Sequence, residues 1–309
     1  MESQMIQNKN GQINIVLYDK DGVKVDQDKR PSYNESSPFF RIDQEFSSFV
    51  GMEYLKQSIK EIYAMITINE KRKQVGLQST NQVLHMLFKG NPGTGKTTIA
   101  RKLATVYHEM NILSKGHFVE AERADLVGEY IGQTAQKTRG LIQKAAGGIL
   151  FIDEAYSLAR GGEKDFGKEA IDTLVKHMED DHDDFVLILA GYPFEMEQFL
   201  LLNPGLKSRF PFILDFQDYS VDQLIQIAKK MLKEREYQLT SEAEWKLKEQ
   251  ISQEKNNSDY NFSNARYVRN VIEQSIRKQA IRILHQNKLT NDSLITLTKQ
   301  DLVFDKSTS

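Results

Sequence analysis

The sequence predicts a three-layer α/β domain with a parallel sheet, followed by a smaller α-helical domain and preceded by a short β-hairpin-like extension. Five apolar segments alternate with helical patterns between residues 84 and 216, an order typical of a parallel sheet covered by helices. The segments 149–152 and 185–190 are almost wholly apolar, as expected of strands buried on both faces. Beyond Asp218 the apolar residues recur only at helical spacing.

These patterns divide the chain into an extension and linker over 1–40, an α/β domain over 41–217, a helical domain over 218–303 and a tail over 304–309. In the extension, alternation over 13–17 and at Val23 and Val25 predicts a hairpin with its turn at Asp21 and Gly22. A disordered tail is an equal alternative, because an isolated hairpin is marginal in water.

The elements of the α/β domain follow from apolar spacing. Leu55, Ile59 and Ile62 lie one helical turn apart, and the pair Gly147 and Gly148 is typical of a helix end. The predicted elements are a helix over 46–73, strands at 84–88, 117–120, 149–154, 185–190 and 210–216, and helices that begin near 97, 134 and 171. In the helical domain, Ser220 with Gln223 and Ser241 with Glu244 predict two capping boxes.

Composition sets the broad class. Of 309 residues, 39% are hydrophobic and 27% are charged, which is ordinary for a soluble globular protein. The net charge of −2 gives no general attraction to nucleic acid or an acidic membrane. The chain has no cysteine, which excludes disulfides and cysteine-ligated metals. No apolar run is long enough to cross a bilayer and no secretory signal is evident, so we expect a cytoplasmic protein without a membrane or nucleic-acid partner.

A phosphate-binding loop joins the first strand to the next helix. The pattern G-x-x-x-x-G-K-[ST] is satisfied by Gly90, Gly95, Lys96 and Thr97, and it arises by chance in roughly one chain in a hundred. Backbone N–H groups of such a loop face an anion, the lysine reaches the β- and γ-phosphates, and the hydroxyl takes one position on Mg²⁺. The predicted nucleotide-binding residues are Gly90, Asn91, Pro92, Gly93, Thr94, Gly95, Lys96, Thr97 and Thr98.

Two carboxylates follow the buried segment 149–152. Asp153 is suited to hold Mg²⁺ through water, and Glu154 is suited to orient and deprotonate an attacking water. Many phosphate-loop kinases lack that adjacent glutamate, because they must exclude water. The alternative is an acidic strand end that simply leads into a loop.

Three further residues are candidates on weaker grounds. Arg209 follows a Pro-Gly turn, where it could reach the nucleotide of a neighbouring subunit, although a surface arginine is usually a solvated charge. Arg266 could touch phosphate from the helical domain, or be an ordinary helix-surface arginine. Tyr130 lies in a glycine-flanked loop as either a packed anchor or an aromatic that grips a substrate chain.

Taken together, these motifs resemble the AAA+ ATPases over about residues 45–285. The runs 90–97, 124–132, 153–158 and 189–192 are similar to the red-type Rubisco activase branch of that family. The resemblance implies a phosphate-loop domain with a helical lid, binding ATP and Mg²⁺. It also implies a ring of identical subunits, usually a hexamer, that remodels a protein partner by pulling it through a central pore. The partner itself is not identified by the sequence.

The resemblance also implies roles for individual residues. Val50 and Gly51 match the region that contacts adenine, Arg209 matches the arginine finger, and Arg266 matches the sensor 2 arginine. The pore-loop positions are Tyr130, Ile131 and Gly132, and the predicted catalytic residues are Glu154, Arg209, Arg266 and Lys96.

One position departs from the family pattern. Many members carry a polar Asn or Thr at sensor 1, whereas Tyr192 occupies the nearest position here, so that role stays open. A nucleic-acid-associated AAA+ loader and a phosphate-loop kinase or regulatory switch remain as alternative functions.

Overall fold

The computed structural model describes residues 2–7, 13–18, 39–47, 49–78, 83–130, 132–161, 165–181, 184–257, 262–286 and 289–304. The chain forms two units, Met1–Asp43 and Gln44–Ser309. In the first unit β1 (Glu2–Gln7) pairs antiparallel with β2 (Ile13–Tyr18), from Glu2 opposite Tyr18 to Gln7 opposite Ile13. The partner of β2 precedes it along the chain, whereas the predicted partner follows it. Alternation of apolar and polar residues identifies a strand but does not identify the strand that pairs with it. The predicted turn at Asp21 and Gly22 lies outside the described residues.

The α/β fold predicted from the sequence is confirmed. After β2 the described elements are, in chain order, α1 (Phe40–Phe46), α2 (Glu53–Gln74), β3 (Met86–Gly90), α3 (Lys96–Glu109), β4 (Phe118–Ala121), α4 (Arg123–Leu126), α5 (Gln133–Ala145), β5 (Ile149–Ile152), a 3₁₀ helix (Ala155–Ala159), α6 (Gly167–Asp180), β6 (Val186–Gly191), α7 (Pro193–Leu202), α8 (Pro204–Lys207) and β7 (Phe212–Phe216). Within the described part of the chain, β3 to β7 form one parallel sheet in the order β4-β5-β6-β3-β7.

Burial explains why these segments form strands and helices. Every residue of β5 is fully buried, and β6 is buried along its whole length. The inner face of α3, which includes Ile99 and Leu103, packs on the sheet with no exposed surface. The chain leaves β3 toward one edge of the sheet and β6 toward the other, so the carboxyl ends of these neighbouring strands form a crevice of the kind in which α/β proteins bind ligands.

Helices α7 and α8 were not predicted. Only turns were expected between Gly191 and the fifth strand. Pro193 occupies the first turn of α7, a position that favours helix initiation. The segment is apolar without a clear helical period, so its buried residues, Met196 and Phe199, could not be distinguished from a buried loop.

The second domain contains α9 (Val221–Lys233), α10 (Ser241–Asn257), α11 (Asn264–Gln286) and α12 (Asn291–Ile295), packed around a core of its own. It is not wholly helical as predicted, because β8 (Gln238–Leu239) pairs in parallel with β9 (Thr296–Leu297). In the described residues no helix is long and apolar enough to span a membrane.

One of the two predicted capping boxes is correct. The Ser220 hydroxyl accepts from the Gln223 backbone amide at 3.2 Å, and Gln223 Oε1 accepts from the Ser220 backbone amide at 2.8 Å. The predicted box of Ser241 and Glu244 is wrong, because Thr240 caps α10 by accepting from the Ala243 amide at 3.2 Å. The helix begins at Ser241 itself, which leaves the preceding residue as its cap.

Candidate functional site

The phosphate loop joins β3 to α3 beneath the lid, the name used here for residues 219–304. The backbone turns sharply at Gly93 and Gly95, with φ of +68° and +97°, and α3 starts at Lys96. Its free N–H groups and dipole then favour an anion. A cleft of about 460 Å³ opens over this helix end, within the usual size of a small-molecule site.

Lys96 is the cation at the base of the cleft. Only 8% of its surface is exposed, and Nζ donates to the carbonyl oxygens of Gly90 at 2.6 Å and Asn91 at 3.0 Å. Burial lowers the pKa of Lys96, an effect that Asp153 opposes and Arg266 reinforces. A buried ammonium with neutral carbonyl partners gains most from an anionic ligand, so the loop fits a nucleotide phosphate.

Asp153 and Glu154 follow β5 and line the same cleft. The amide of Glu154 donates to Asp153 Oδ1 at 3.0 Å, and Glu154 has a left-handed φ of +45°. Such a conformation costs about 1–3 kcal/mol in a residue other than glycine and recurs at functional sites. Both carboxylates are close enough to Lys96 to oppose the lowering of its pKa by burial.

The donor set around the cleft fits Mg²⁺ better than a transition metal. Among the described residues no group of three or more His, Cys, Asp or Glu side chains could hold a metal ion. Thr97 and Asp153 both line the cleft. Mg²⁺ is usually bound by one or two protein oxygens, with water and substrate phosphates completing its coordination.

Arg266 reaches the cleft from the lid. It stands in the first turn of α11, which rests on the phosphate loop through a hydrogen bond from the Ala265 amide to the Gly93 carbonyl at 3.2 Å. The Tyr219 hydroxyl donates to the Thr94 carbonyl at 3.0 Å, and burial raises the pKa of Tyr219 to about 12, which preserves this donor. The lid is therefore in direct contact with the loop.

Gly93→Ala is expected to lower both ATP affinity and thermal stability. A Cβ at this position would lie 2.2 Å from the Ser263 carbonyl and 2.7 Å from the Arg266 amide, so the lid must shift. The left-handed backbone adds about 1–2 kcal/mol of strain, or roughly 2–4 °C in Tm. Nucleotide titration and thermal melting measure the two effects.

Gly76→Ala is the matched control, since Gly76 has a φ of +76° but nothing within 4 Å of its added Cβ. It should show the strain alone, with unchanged ATP affinity. Equal effects of the two variants on ATP affinity would show that contact between loop and lid does not matter for binding.

The structure brings most predicted nucleotide-site residues together. Gly90 contributes a carbonyl to Lys96, and Thr94 is buried inside the loop. The side chain of Asn91 turns away toward Asp218, and Gly51 lies against the Gln223 side chain instead of the cleft. The predicted residues that line the cleft are Val50, Pro92, Gly93, Gly95, Lys96, Thr97, Thr98, Asp153, Glu154 and Arg266.

Tyr192, whose role was left open, also lines the cleft. Its ring centroid lies 5.9 Å from Lys96 Nζ and 5.8 Å from the Tyr156 ring. Burial raises the pKa of Tyr192, and the nearby Glu154 carboxylate adds to that shift. The hydroxyl therefore stays protonated and available as a donor near neutral pH.

Two predicted positions lie away from the cleft of their own chain. The guanidinium of Arg209 is held by Glu179 of α6 and by the Gly205 carbonyl, and its side chain is 27% exposed. Tyr130 is 67% exposed, between α4 and α5 in a loop that ends at Gly132, whose φ is +85°. Ile131 lies outside the described residues.

Apart from Val50, the apolar part of the cleft was not predicted from the sequence. Ile227 and Met231 line it from α9, together with Phe49. The two α9 residues are one helical turn apart and are partly buried against the lid core. Their apolar character is explained by that packing, so it gave no separate signal of a ligand. The polar residues missed at its rim are Lys230, Glu234 and Arg269.

Comparisons with known proteins identify the family. Residues 86–218 match the model of the ATPase family associated with various cellular activities (AAA), and residues 220–309 match the AAA lid domain. Stage V sporulation protein K of Bacillus subtilis is 58% identical over 318 residues, covering 100% of this chain and 99% of that protein.

Two further relatives are an activase and a CbbX protein. The chloroplastic ribulose bisphosphate carboxylase/oxygenase activase of Cyanidioschyzon merolae is 43% identical over 257 residues, 82% of this chain and 87% of that one. Protein CbbX of Cereibacter sphaeroides is 41% identical over 278 residues, 89% of each chain. These similarities agree with the red-type Rubisco activase branch predicted from the sequence.

Proposed function

Because the chain belongs to the AAA ATPases and therefore binds and hydrolyses ATP, we propose that it is a ring motor that remodels a protein partner. The observation that carries this proposal is Tyr130, a large aromatic that is 67% exposed in a loop outside the nucleotide cleft. A motor needs such a residue to grip a chain, whereas a packing anchor would be buried.

The chemistry assigned to the cleft follows its geometry. Lys96 and the backbone amides of 93–98 bind the ATP phosphates, and Thr97 with Asp153 would hold Mg²⁺, whose charge would offset that of the phosphates. Glu154 orients water and takes its proton. Arg266 contacts the γ-phosphate from the lid, and Tyr192, in the sensor 1 position, donates to the attacking water or the γ-phosphate. The apolar surface of Val50, Ile227 and Met231 receives adenine.

The active site is completed by a second copy of the chain. Arg209 lies outside the cleft of its own chain, with its guanidinium oriented by Glu179, and it would enter the cleft of the next subunit. A finger shared in this way requires a head-to-tail interface, which forms a ring when the rotation between subunits closes and an open filament when it does not. We propose a hexamer, which the resemblance to the AAA+ family implies, with Tyr130 and Gly132 facing its pore.

The biological setting is taken from the relatives. Stage V sporulation protein K is similar to this chain over its full length, which supports a role in spore formation. The activase relative, which is named for the carboxylase/oxygenase that it activates, supports work on a protein partner. We propose that this work takes place in the cytoplasm.

Tyr130→Ala is expected to retain ATPase activity and to lose the protein partner. The side chain does not line the nucleotide cleft, so turnover should stay within about twofold of wild type. A Glu154→Gln protein loaded with ATP should capture a partner from sporulating cells, and Glu154→Gln with Tyr130→Ala should not. Hydrogen exchange of the captured partner should then rise when wild-type protein and ATP are added.

Tyr54→Ala is the control, because Tyr54 is equally exposed at 70% but lies on α2. Combined with Glu154→Gln, it should capture the same partner as Glu154→Gln alone. Capture and unfolding that persist in the Tyr130→Ala background would show that Tyr130 does not grip the partner.

A further inference from the structure

Asp218 connects the phosphate loop to the lid. It lies between β7, the last strand of the sheet, and α9, the first helix of the lid. Its Oδ1 accepts from Asn264 Nδ2 at 2.8 Å and from Asn91 Nδ2 at 3.1 Å, and its Oδ2 accepts from Asn91 Nδ2 at 3.0 Å. One carboxylate therefore joins a loop residue to a lid residue, and we call Asn91, Asp218 and Asn264 the lid latch.

Asn264 is the lid side of the latch and has no exposed surface. Its backbone is left-handed, with φ of +46°, which asparagine tolerates better than most residues. Besides Asp218, its Nδ2 donates to the Phe262 carbonyl at 2.9 Å and the Pro92 carbonyl at 3.3 Å, while its Oδ1 accepts from the Tyr219 amide at 3.0 Å. A side-chain amide with every group engaged in this way has one orientation.

The start of α11 is fixed by that orientation. The next residue donates its amide to the Gly93 carbonyl at 3.2 Å, and Arg266 follows one residue later at the cleft. The position of Arg266 relative to the phosphates therefore depends on Asn264, and through it on Asp218.

Asn91 is the loop side of the latch and is linked to Lys96. Its carbonyl accepts from Lys96 Nζ at 3.0 Å while its side chain is bound to Asp218. The ammonium group has three N–H donors and gives two of them to the Gly90 and Asn91 carbonyls. A phosphate that binds Lys96 therefore acts on a group already joined to Asn91, the residue that contacts Asp218.

We propose that Asp218 is a positioning residue for ATP hydrolysis, which holds Arg266 at the phosphates by joining Asn91 to Asn264. This inference rests on the role proposed above for Arg266. Asp218 does not line the nucleotide cleft itself. Its carboxylate raises the pKa of Lys96, but its hydrogen bonds join the loop to the lid, and it acts on Arg266 through them. ATP binding depends mainly on the loop and is less sensitive to this contact than turnover is.

The test is a double-mutant cycle on the full chain. Asp218→Ala should lower kcat by roughly tenfold, the range of coupling through residues that do not touch the ligand, and raise KM by less than about threefold. Arg266→Ala should lower kcat at least as much. The double variant should lose no more than Arg266→Ala alone, because two residues that act as one unit are not additive.

The matched control is Asp222→Ala, which removes an exposed carboxylate four residues further on that pairs with Lys248 at 2.7 Å. Its kcat should match wild type. Asn91→Ala removes the contact between Asp218 and the phosphate loop and keeps the contacts within the lid. It should also lower kcat, and it provides the test of the latch if Asp218→Ala does not fold.

The outcomes distinguish failure of the lid latch from failure of the role proposed for Arg266. An unchanged kcat in Arg266→Ala would remove the proposed role of Arg266. If Arg266→Ala lowers kcat but Asp218→Ala and Asn91→Ala keep the wild-type kcat, the lid latch is overturned and the role of Arg266 stands. Losses that multiply in the double variant would also overturn it, because Asp218 would then act independently of Arg266.

Discussion

Glu154→Gln is expected to bind ATP as the wild-type protein does while its turnover falls by about 10²- to 10⁴-fold. Glutamine has the size of glutamate and occupies the same cleft wall, so the phosphate loop and its contacts are kept. It cannot accept a proton from water. The Glu154 carboxylate raises the pKa of Lys96 against the lowering by burial. Its loss also removes a negative charge that repels the ATP phosphates, so we expect ATP binding to be kept.

Calorimetric titration with ATP and release of inorganic phosphate measure the two halves of this prediction. Glu249→Gln, an exposed glutamate on α10, is the control for loss of one carboxylate and should hydrolyse ATP normally. Normal phosphate release by Glu154→Gln would show that another group is the base.

Arg209→Ala is expected to lower turnover by ~10³ or more, the contribution of an arginine that stabilises the transferred phosphate. ATP binding to the isolated chain should not change, because Arg209 lies outside its own cleft. Loss of the ring would imitate this result, so turnover must be compared at protein concentrations where sedimentation shows equal assembly of both proteins.

Arg235→Ala provides the comparison, since Arg235 is also an ion-paired arginine, 3.4 Å from Glu273 on the lid. It should turn over ATP at the wild-type rate. Wild-type turnover in a fully assembled Arg209→Ala ring would exclude Arg209 as the finger.

The nucleotide site was predictable to a large extent because its signals are local. The phosphate loop, the buried run of β5 and the two carboxylates are each contained in a few consecutive residues, and the structure brings them to one cleft. The alternation of strands and helices fixed the fold class for the same reason, although α7 escaped because its apolar residues have no clear period.

The contacts between lid and loop were not predictable. Asn91 and Asp218 are 127 residues apart, and Asp218 and Asn264 are 46 apart, and nothing in either neighbourhood marks the other. The pairing of Arg209 with Glu179 is equally remote. Asn264 is buried at a left-handed position because three segments of the chain pack around it. Patterns of neighbouring residues along the chain carry no information about such packing.

The most direct test of a site built from two chains is the ATPase activity of mixed subunits. Arg209→Ala lacks the finger but keeps its phosphate loop, whereas Lys96→Ala keeps the finger but lacks the phosphate contact, so each alone should be inactive. In a randomly mixed ring, roughly one interface in four joins an intact loop to an intact finger. Activity should therefore appear on mixing and rise toward about a quarter of the wild-type rate, whereas a mixture as inactive as its two components would contradict action between subunits.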